Sequence, residues 1–442
     1  MDKERVFEGE WFLPGKIEEK VFGTLKYAPG ERIILSIFEG FEKEIFLEDL
    51  HLIKIIHGNT IDGKRITLYN CIEIHNQNNL VQKTYSKWSV DYVFIGHQFD
   101  NESDIKPNKI MAYFPILNEW MFKNGFKLSK TSLYDFDLKY KSPLDIKHTI
   151  NEDFKIEFNF NIVHTVGARN SFRSHQKNII SITTSKDKSF FELERQIYVF
   201  RDLITLFSFR PVYLNSLKII ITDNKYPVEV LIGFNKVKED KRVLFVTSYQ
   251  NIEDDFGDIL RKWYKLDKEA PEILGLFLEV FYNEGRILEN KFLNLLQAME
   301  SFHRKFRKNT VYGKEEFKNM LDEIVDSVPL EHKNFVKEKL NFGNEPSLHF
   351  RLEELISEVP SDLLNVLIND KAIFIKQIKQ TRNYFTHYDN KLKNKALKGQ
   401  KLFNTIQKGK TLFLIIILQE IGLNKHQIQD SISVIKTFIS DH

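Results

Sequence analysis

The sequence predicts a multidomain α+β protein, with a β-rich half of sandwich or barrel type followed by an all-α helical bundle. Three observations predict it. From Glu8 to about residue 162, short apolar or alternating runs are separated by turn-forming residues. After Asn251 the strand signals stop, and apolar residues recur three and four apart. The chain has 442 residues, more than one hydrophobic core organises, so two or three domains are expected. The expected division is a β-rich domain over 1–140, a second β-rich α+β module over 141–250 and a helical domain over 251–442.

In the first domain, residues 25–27, 32–38, 66–69 and 89–95 read as strands, punctuated by Pro29-Gly30, Gly40, Gly58-Asn59 and Asp62-Gly63. Asp62-Gly63 predicts a hairpin, because glycine accepts the positive φ that such a turn needs. Alternation over 154–163, continued at 178–184, predicts a second sheet, with the division near Lys141. Over 190–209 the period becomes helical, with Phe191, Leu193, Ile197, Phe200, Leu203 and Phe207 spaced between charged residues. Runs at 217–222, 228–234 and 241–246 return to strands. His51, His57, His75 and His97 show no pairing with acids at metal-ligand spacing and read as structural or surface residues. Trp11, Trp88 and Trp120 read as core packing.

Composition bounds the function. Hydrophobic and charged contents of 42% and 28% are those of an ordinary globular protein. A net charge of +3 is too small to imply nucleic-acid binding by itself, so any basic surface must be local. Cys71 is the only cysteine, which excludes an intrachain disulfide and a cysteine-based zinc site. Met1 to Arg5 lead into no apolar segment, and the apolar run 412–418 is far shorter than the ~20 residues of a membrane helix. The expectation is a cytoplasmic protein without a membrane partner.

In the last domain, helices are expected at 256–263, 271–282, 288–306, 314–327, 330–340, 347–357, 360–388, 401–422 and 425–439, with breakers at Gly313, Val328-Pro329, 343–346, Val359-Pro360 and Gly422. The long helix at 360–388 carries Arg382-Asn383-Tyr384-Phe385-Thr386-His387. Arginine offers a planar fork of donors to phosphate oxygens, and histidine exchanges a proton near neutrality. A residue five positions on is rotated by about 140° and advanced by roughly 7.5 Å. The two side chains therefore do not share a stripe. Either the helix ends between them, or a two-fold dimer sets one protomer's arginine beside the other's histidine; the dimer is the preferred reading.

The stretch Arg382-Asn383-x-x-x-His387 resembles the Arg-x(4–6)-His motif of HEPN ribonucleases, and with Tyr388-Asp389 it is similar to the ApeA-like form of it. Residues 292–304 and 347–355 resemble helices of the same family. The first domain carries further landmarks in order: Gly9-Glu10-Trp11-Phe12-Leu13-Pro14, Gly23-Thr24-Leu25, His57-Gly58, Asp62-Gly63, residues 92–99 and Leu117-Asn118-Glu119-Trp120. Together they resemble the amino-terminal domain of ApeA-type bacterial defence proteins, from which Phe12 departs, since a second tryptophan is frequent there.

The resemblance implies an endoribonuclease that acts in abortive-infection defence against phage, with the β-rich half as a sensing domain. Arg382 and His387 would be catalytic, supported by Asn383, Tyr388 and Glu300; Glu353 and Glu354 are alternative acids for orienting Arg382. No cofactor and no metal are expected. The partners implied are an RNA substrate, tRNA among the candidates, a second copy of the chain, and a phage-derived trigger. Seven lysines and no acid lie between Lys391 and Lys410, either as a solvated face or as a positive field that attracts RNA. Two other readings stand beside the nuclease: a catalytically silent RNA- or nucleotide-binding module, and a sensor or scaffold whose β half recruits another effector.

Overall fold

A computed structural model describes residues 3–38, 41, 52–77, 85–130, 135–166, 172–222, 224–236, 244–282, 285 and 287–429. The amino-terminal half is β-rich and the carboxy-terminal half helical, as the periodicities require. The chain divides into two compact units: Met1–Thr205 with Val212–Val243 and Ser248–Gln250, and Asn251–His442 with Leu206–Pro211 and Leu244–Thr247.

Fourteen strands are described: β1 Arg5–Phe12, β2 Val21–Tyr27, β3 Ile33–Phe38, β4 Leu52–Thr60, β5 Arg65–Gln77, β6 Tyr85–Ile95, β7 Lys109–Tyr113, β8 Phe126–Lys130, β9 Phe136–Tyr140, β10 Ile146–Thr149, β11 Phe154–Val166, β12 Phe172–Thr184, β13 Ser216–Ile220 and β14 Val228–Ile232. Of these, β6-β3-β2-β1-β4-β5 form a six-stranded barrel, closed by β5 pairing back onto β6. The expected hairpin joins β4 to β5, with Gly63 at φ 78°.

Strand β6 is the branch point. Its residues 85–90 pair with β3 and close the barrel, while residues 92–95 pair with β14. From there the sheet runs on through β13, β7, β12 and β11 to β10. The two β regions expected from the sequence are thus one hydrogen-bonded sheet, because β7, early in the chain, lies between the late strands β12 and β13. The expected strand at 241–246 falls partly on 241–243, outside the described residues, and 244–246 form none.

Alternation fills the barrel. Every second residue of β2 is buried, and Trp11, Leu25, Leu35, Ile56, Leu68 and Trp88 meet inside. Trp11 and Trp120 are fully buried, and Trp88 donates its indole N–H to Ser86 Oγ at 3.0 Å. His57 is buried, donating its Nε2–H to the Phe99 carbonyl at 2.8 Å, and His51 lies outside the described residues.

Helix α1 (Ile116–Met121) and helix α2 (Phe190–Ser208) complete this region. On α2, Glu194 is buried and accepts a hydrogen bond from Tyr92 Oη at 3.0 Å. Burial pushes its pKa up to about 7, with Tyr92 and Tyr198 acting the other way. A raised carboxyl pKa adds stability that is complete below the unfolded value and is lost as pH rises through the folded one. Glu194→Gln is therefore expected to leave stability nearly unchanged below pH ~4.5 and to raise it by about 2–3 kcal/mol at pH 8. Urea titrations at the two pH values measure this.

The helical region comprises α3 Tyr249–Ile252, α4 Phe256–Glu269, α5 Pro271–Tyr282, α6 Leu288–Phe306, α7 Lys314–Asp326, α8 Leu330–Leu340, α9 Leu348–Ser357, α10 Ser361–Leu367, α11 Lys371–His387, α12 Gly399–Glu420 and α13 Lys425–Gln429. The helix expected over 360–388 is two helices. Ile368 is extended at φ −134°, and the Asp370 carboxylate caps α11 by accepting from Ile373 N–H at 2.8 Å. Of the helix expected over 425–439, residues 430–439 lie outside the described residues.

Helix α12 is the axis of the helical unit, buried on nearly every face from Gly409 to Leu418. Phe413 packs on Phe277 of α5 and Phe302 of α6 at 4.7 and 5.5 Å between ring centres. Arg307, which caps α6, bonds both Glu358 oxygens at 2.7 and 2.8 Å and Glu420 at 3.1 Å, tying the ends of α6, α9 and α12 together. No described helix is long and apolar enough to cross a membrane.

Candidate active site

Helix α11 positions the motif. Its buried stripe of Phe374, Ile375, Ile378, Thr381 and Phe385 faces the interior, and Phe385 meets Phe292 of α6 at 6.1 Å. Arg382 and Asn383, next to that stripe, are half-buried. The helix runs through both Arg382 and His387, so it does not end between them. His387 is its last residue and is exposed. Thr386 Oγ1 donates to the Arg382 carbonyl at 2.8 Å.

Tyr388 ends the helix in the left-handed region at φ 51°, a conformation usually left to glycine, and its N–H donates to the Tyr384 carbonyl at 2.7 Å. The turn sends the chain back along α11. Leu397 N–H donates to Thr381 Oγ1 at 3.0 Å, which holds the returning segment against the helix. Tyr388 remains 71% exposed, its ring edge-on to Tyr384 at 5.8 Å.

Of the three acids that the sequence offers to Arg382, the structure brings Glu300 to it. Glu300 Oε2 on α6 lies 3.9 Å from Arg382 Nη2. Glu354 instead accepts from His303 Nε2 at 2.6 Å, and Glu353 lies 3.8 Å from His349 and 4.0 Å from Lys371. Arg382 and Glu300 are partly open to solvent, and at 3.9 Å their pairing is a loose one.

The lysine run divides. Lys391, Lys393, Lys395, Lys398 and Lys401 are exposed on the segment that follows His387. Lys398 Nζ stands 5.5 Å over the Tyr384 ring. Lys410 is buried, its Nζ 4.0 Å from the Phe209 ring centre and 3.7 Å from that of Phe281. Burial, then the charge of Lys291, takes its pKa down to about 7. The positive face is therefore the first part of the run.

Sequence reasoning missed Arg351. It is 1% exposed and donates from Nη1 to His303 Nδ1 at 3.1 Å and from Nε to the Pro346 carbonyl at 3.0 Å. Its one signal was a charged residue in the apolar phase of α9, beside Leu352 and Leu355.

Comparison with known proteins adds the family. Residues 6–263 match the family described as ApeA N-terminal domain 1, and residues 293–427 match Apea-like HEPN. No curated protein matches. A solved structure titled "MrkH, A novel c-di-GMP dependence transcription regulatory factor" is similar at 13% identity, over 45% of this chain and 84% of that one, with a TM-score of 0.12. With the ApeA amino-terminal match spanning more than half of its length and the HEPN match following it, the chain belongs to the ApeA-like HEPN family.

Proposed function

We propose that this protein is a metal-independent endoribonuclease that acts in antiphage defence by cutting cellular RNA, tRNA among its targets. The observation that carries the reading is Arg382, loosely paired with Glu300, on the same helix end as an exposed His387, within the segment that matches Apea-like HEPN. In the reaction the ribose 2′-OH loses its proton and attacks the adjacent phosphorus. The bond to the 5′-oxygen breaks, and that oxygen takes up a proton. The products are a 2′,3′-cyclic phosphate and a 5′-OH.

His387 serves as the general base or acid, and its exposure leaves the ring accessible to substrate. Arg382 stabilises the charge that gathers on the phosphate oxygens, with Asn383 assisting. Each helix end carries its two groups about 140° apart, so we place the working site between two copies, one giving Arg382 and the other His387. The β-rich half keeps the activity at a low basal level until a phage-derived trigger raises it. The test is cleavage of one RNA sequence with ordinary ribose and with 2′-deoxyribose at every position. Cutting of the first alone supports the reading, and equal cutting of both contradicts it.

The exposed lysines after Tyr388 give the site a positive approach. Replacing Lys391, Lys393 and Lys395 with glutamine is expected to raise KM with little change in kcat. It should also flatten the dependence of log affinity on log salt by about 2, at roughly 0.7 per phosphate contact on a single strand. Binding measured across a salt series checks this.

A further inference from the structure

Helix α11 ends on a tyrosine where backbone strain favours glycine. Tyr388 takes φ 51° and ψ 34°, the left-handed conformation that is costly for a residue with a β carbon and free for glycine. Burial of the ring would offset that cost, but Tyr388 is 71% exposed. A strained position that holds an exposed ring points to a use for the ring outside the fold.

The ring is also held in place. The Tyr388 N–H donates to the Tyr384 carbonyl at 2.7 Å, which fixes the backbone, and the two rings cross at 68° with 5.8 Å between their centres. Rings so crossed are not stacked on each other. Lys398 Nζ stands 5.5 Å over the Tyr384 ring, and the preceding residue, Leu397, is tied to Thr381 Oγ1 at 3.0 Å. Tyr384 precedes His387 by three residues, so the two share a face of α11. One helix end thus gathers an imidazole, an exposed aromatic ring and a cation. These are groups suited to the 2′-hydroxyl, the base and the phosphate of a single nucleotide.

We propose that Tyr388 is a base-stacking residue, and that with Tyr384 and Lys398 it forms a subsite for one unpaired nucleotide beside His387. A base laid on the Tyr388 ring makes a π contact open to all four bases. The subsite therefore selects unstacked, single-stranded RNA rather than a sequence. Holding the base fixes the attached ribose, which sets its 2′-hydroxyl for His387. Lys398 adds a phosphate contact. The inference rests on RNA as the substrate and on His387 as the group that exchanges the proton.

The test is binding of the full chain to two single strands of equal length and charge. One is a 2′-O-methyl RNA, which lacks the attacking hydroxyl; the other is the same 2′-O-methyl backbone without bases. Cleavage of the sequence with ordinary ribose and the thermal midpoint of unfolding are measured alongside. Tyr388→Gly is expected to weaken binding of the first strand about tenfold, within the range for one stacked base, and to leave binding of the second unchanged. Its midpoint should stay nearly the same, since glycine relieves the turn and little of the tyrosine is buried. Tyr388→Phe keeps the ring and should bind both strands like the wild type. An unchanged affinity of Tyr388→Gly for the first strand, equal losses on the two strands, or a loss in Tyr388→Phe as large as in Tyr388→Gly would overturn the proposal. So would a marked fall in the midpoint of Tyr388→Gly, which would assign the ring to the fold, or no binding of RNA by the wild type. The stacking pattern without cleavage of ordinary RNA would sink the nuclease reading and leave the subsite intact. Cleavage without the stacking pattern would do the reverse.

Discussion

Arg382→Ala and His387→Ala are each expected to lower kcat/KM for RNA cleavage by about 100-fold or more while leaving the thermal midpoint of unfolding nearly unchanged. Positioned general acid–base catalysis contributes about 10²–10⁴-fold, and removal of one donor aimed at a developing negative charge costs about 10²–10³. His387 is exposed at the end of α11, and Arg382 is one-third exposed with one loose ion pair, so neither holds the core together. In a composite site the two variants also complement each other. An equimolar mixture places one intact Arg382 and one intact His387 in the same cleft of a mixed dimer, and about a quarter of wild-type activity should return, from the half of the dimers that are mixed and carry one intact site of two. Activity of the mixture no higher than that of either variant would place both groups in one protomer's site.

Gly58→Ala is expected to destabilise the barrel by about 3 kcal/mol, toward the upper end of what overpacking costs. Gly58 of β4 pairs with Trp11 of β1, and a β carbon there would sit 2.3 and 2.5 Å from two atoms of the Trp11 ring. The indole is rigid, fully buried and flanked on its other side by Gly23 of β2, where a β carbon would meet the Ser36 carbonyl at 2.5 Å. Neither neighbour can yield without moving a strand. Gly275→Ala is the matched control. It lies in α5 with nothing within 4 Å of the added carbon, so it should stabilise by about 0.5–1 kcal/mol through the lower helix propensity of glycine. Urea titration of the two variants compares them directly.

Local physics made much of this legible in the sequence. The turn at Asp62-Gly63 and the helix Leu288–Phe306 follow from φ preferences and periodicity within a short window. Barrel closure did not, because pairing of β5 with β6 and insertion of β7 between β12 and β13 join segments far apart in the chain. The break at 368–370 was hidden for a different reason. Ile368 continues the apolar spacing, and only the cap at Asp370 betrays the new start.

At the site, the motif residues Arg382, Asn383, His387 and Tyr388 lie within seven successive residues and could be read directly. The partner of Arg382 could not: Glu300, Glu353 and Glu354 are alike in sequence, and the packing of α6 and α9 against α11 determines which one reaches it. Lys410 looked like part of a basic run. The phase of α12 turns it inward, onto Phe209 and Phe281.

The central claim is RNA cleavage by the 2′-hydroxyl route without a metal. Purified wild-type protein, incubated with total cellular RNA in excess EDTA and followed by end-group analysis of the fragments, tests it most directly. The account predicts fragments that end in 2′,3′-cyclic phosphate and begin with 5′-OH, at a rate that EDTA does not change. Fragments with 5′-phosphate ends, cutting abolished by EDTA, or RNA left intact would contradict it.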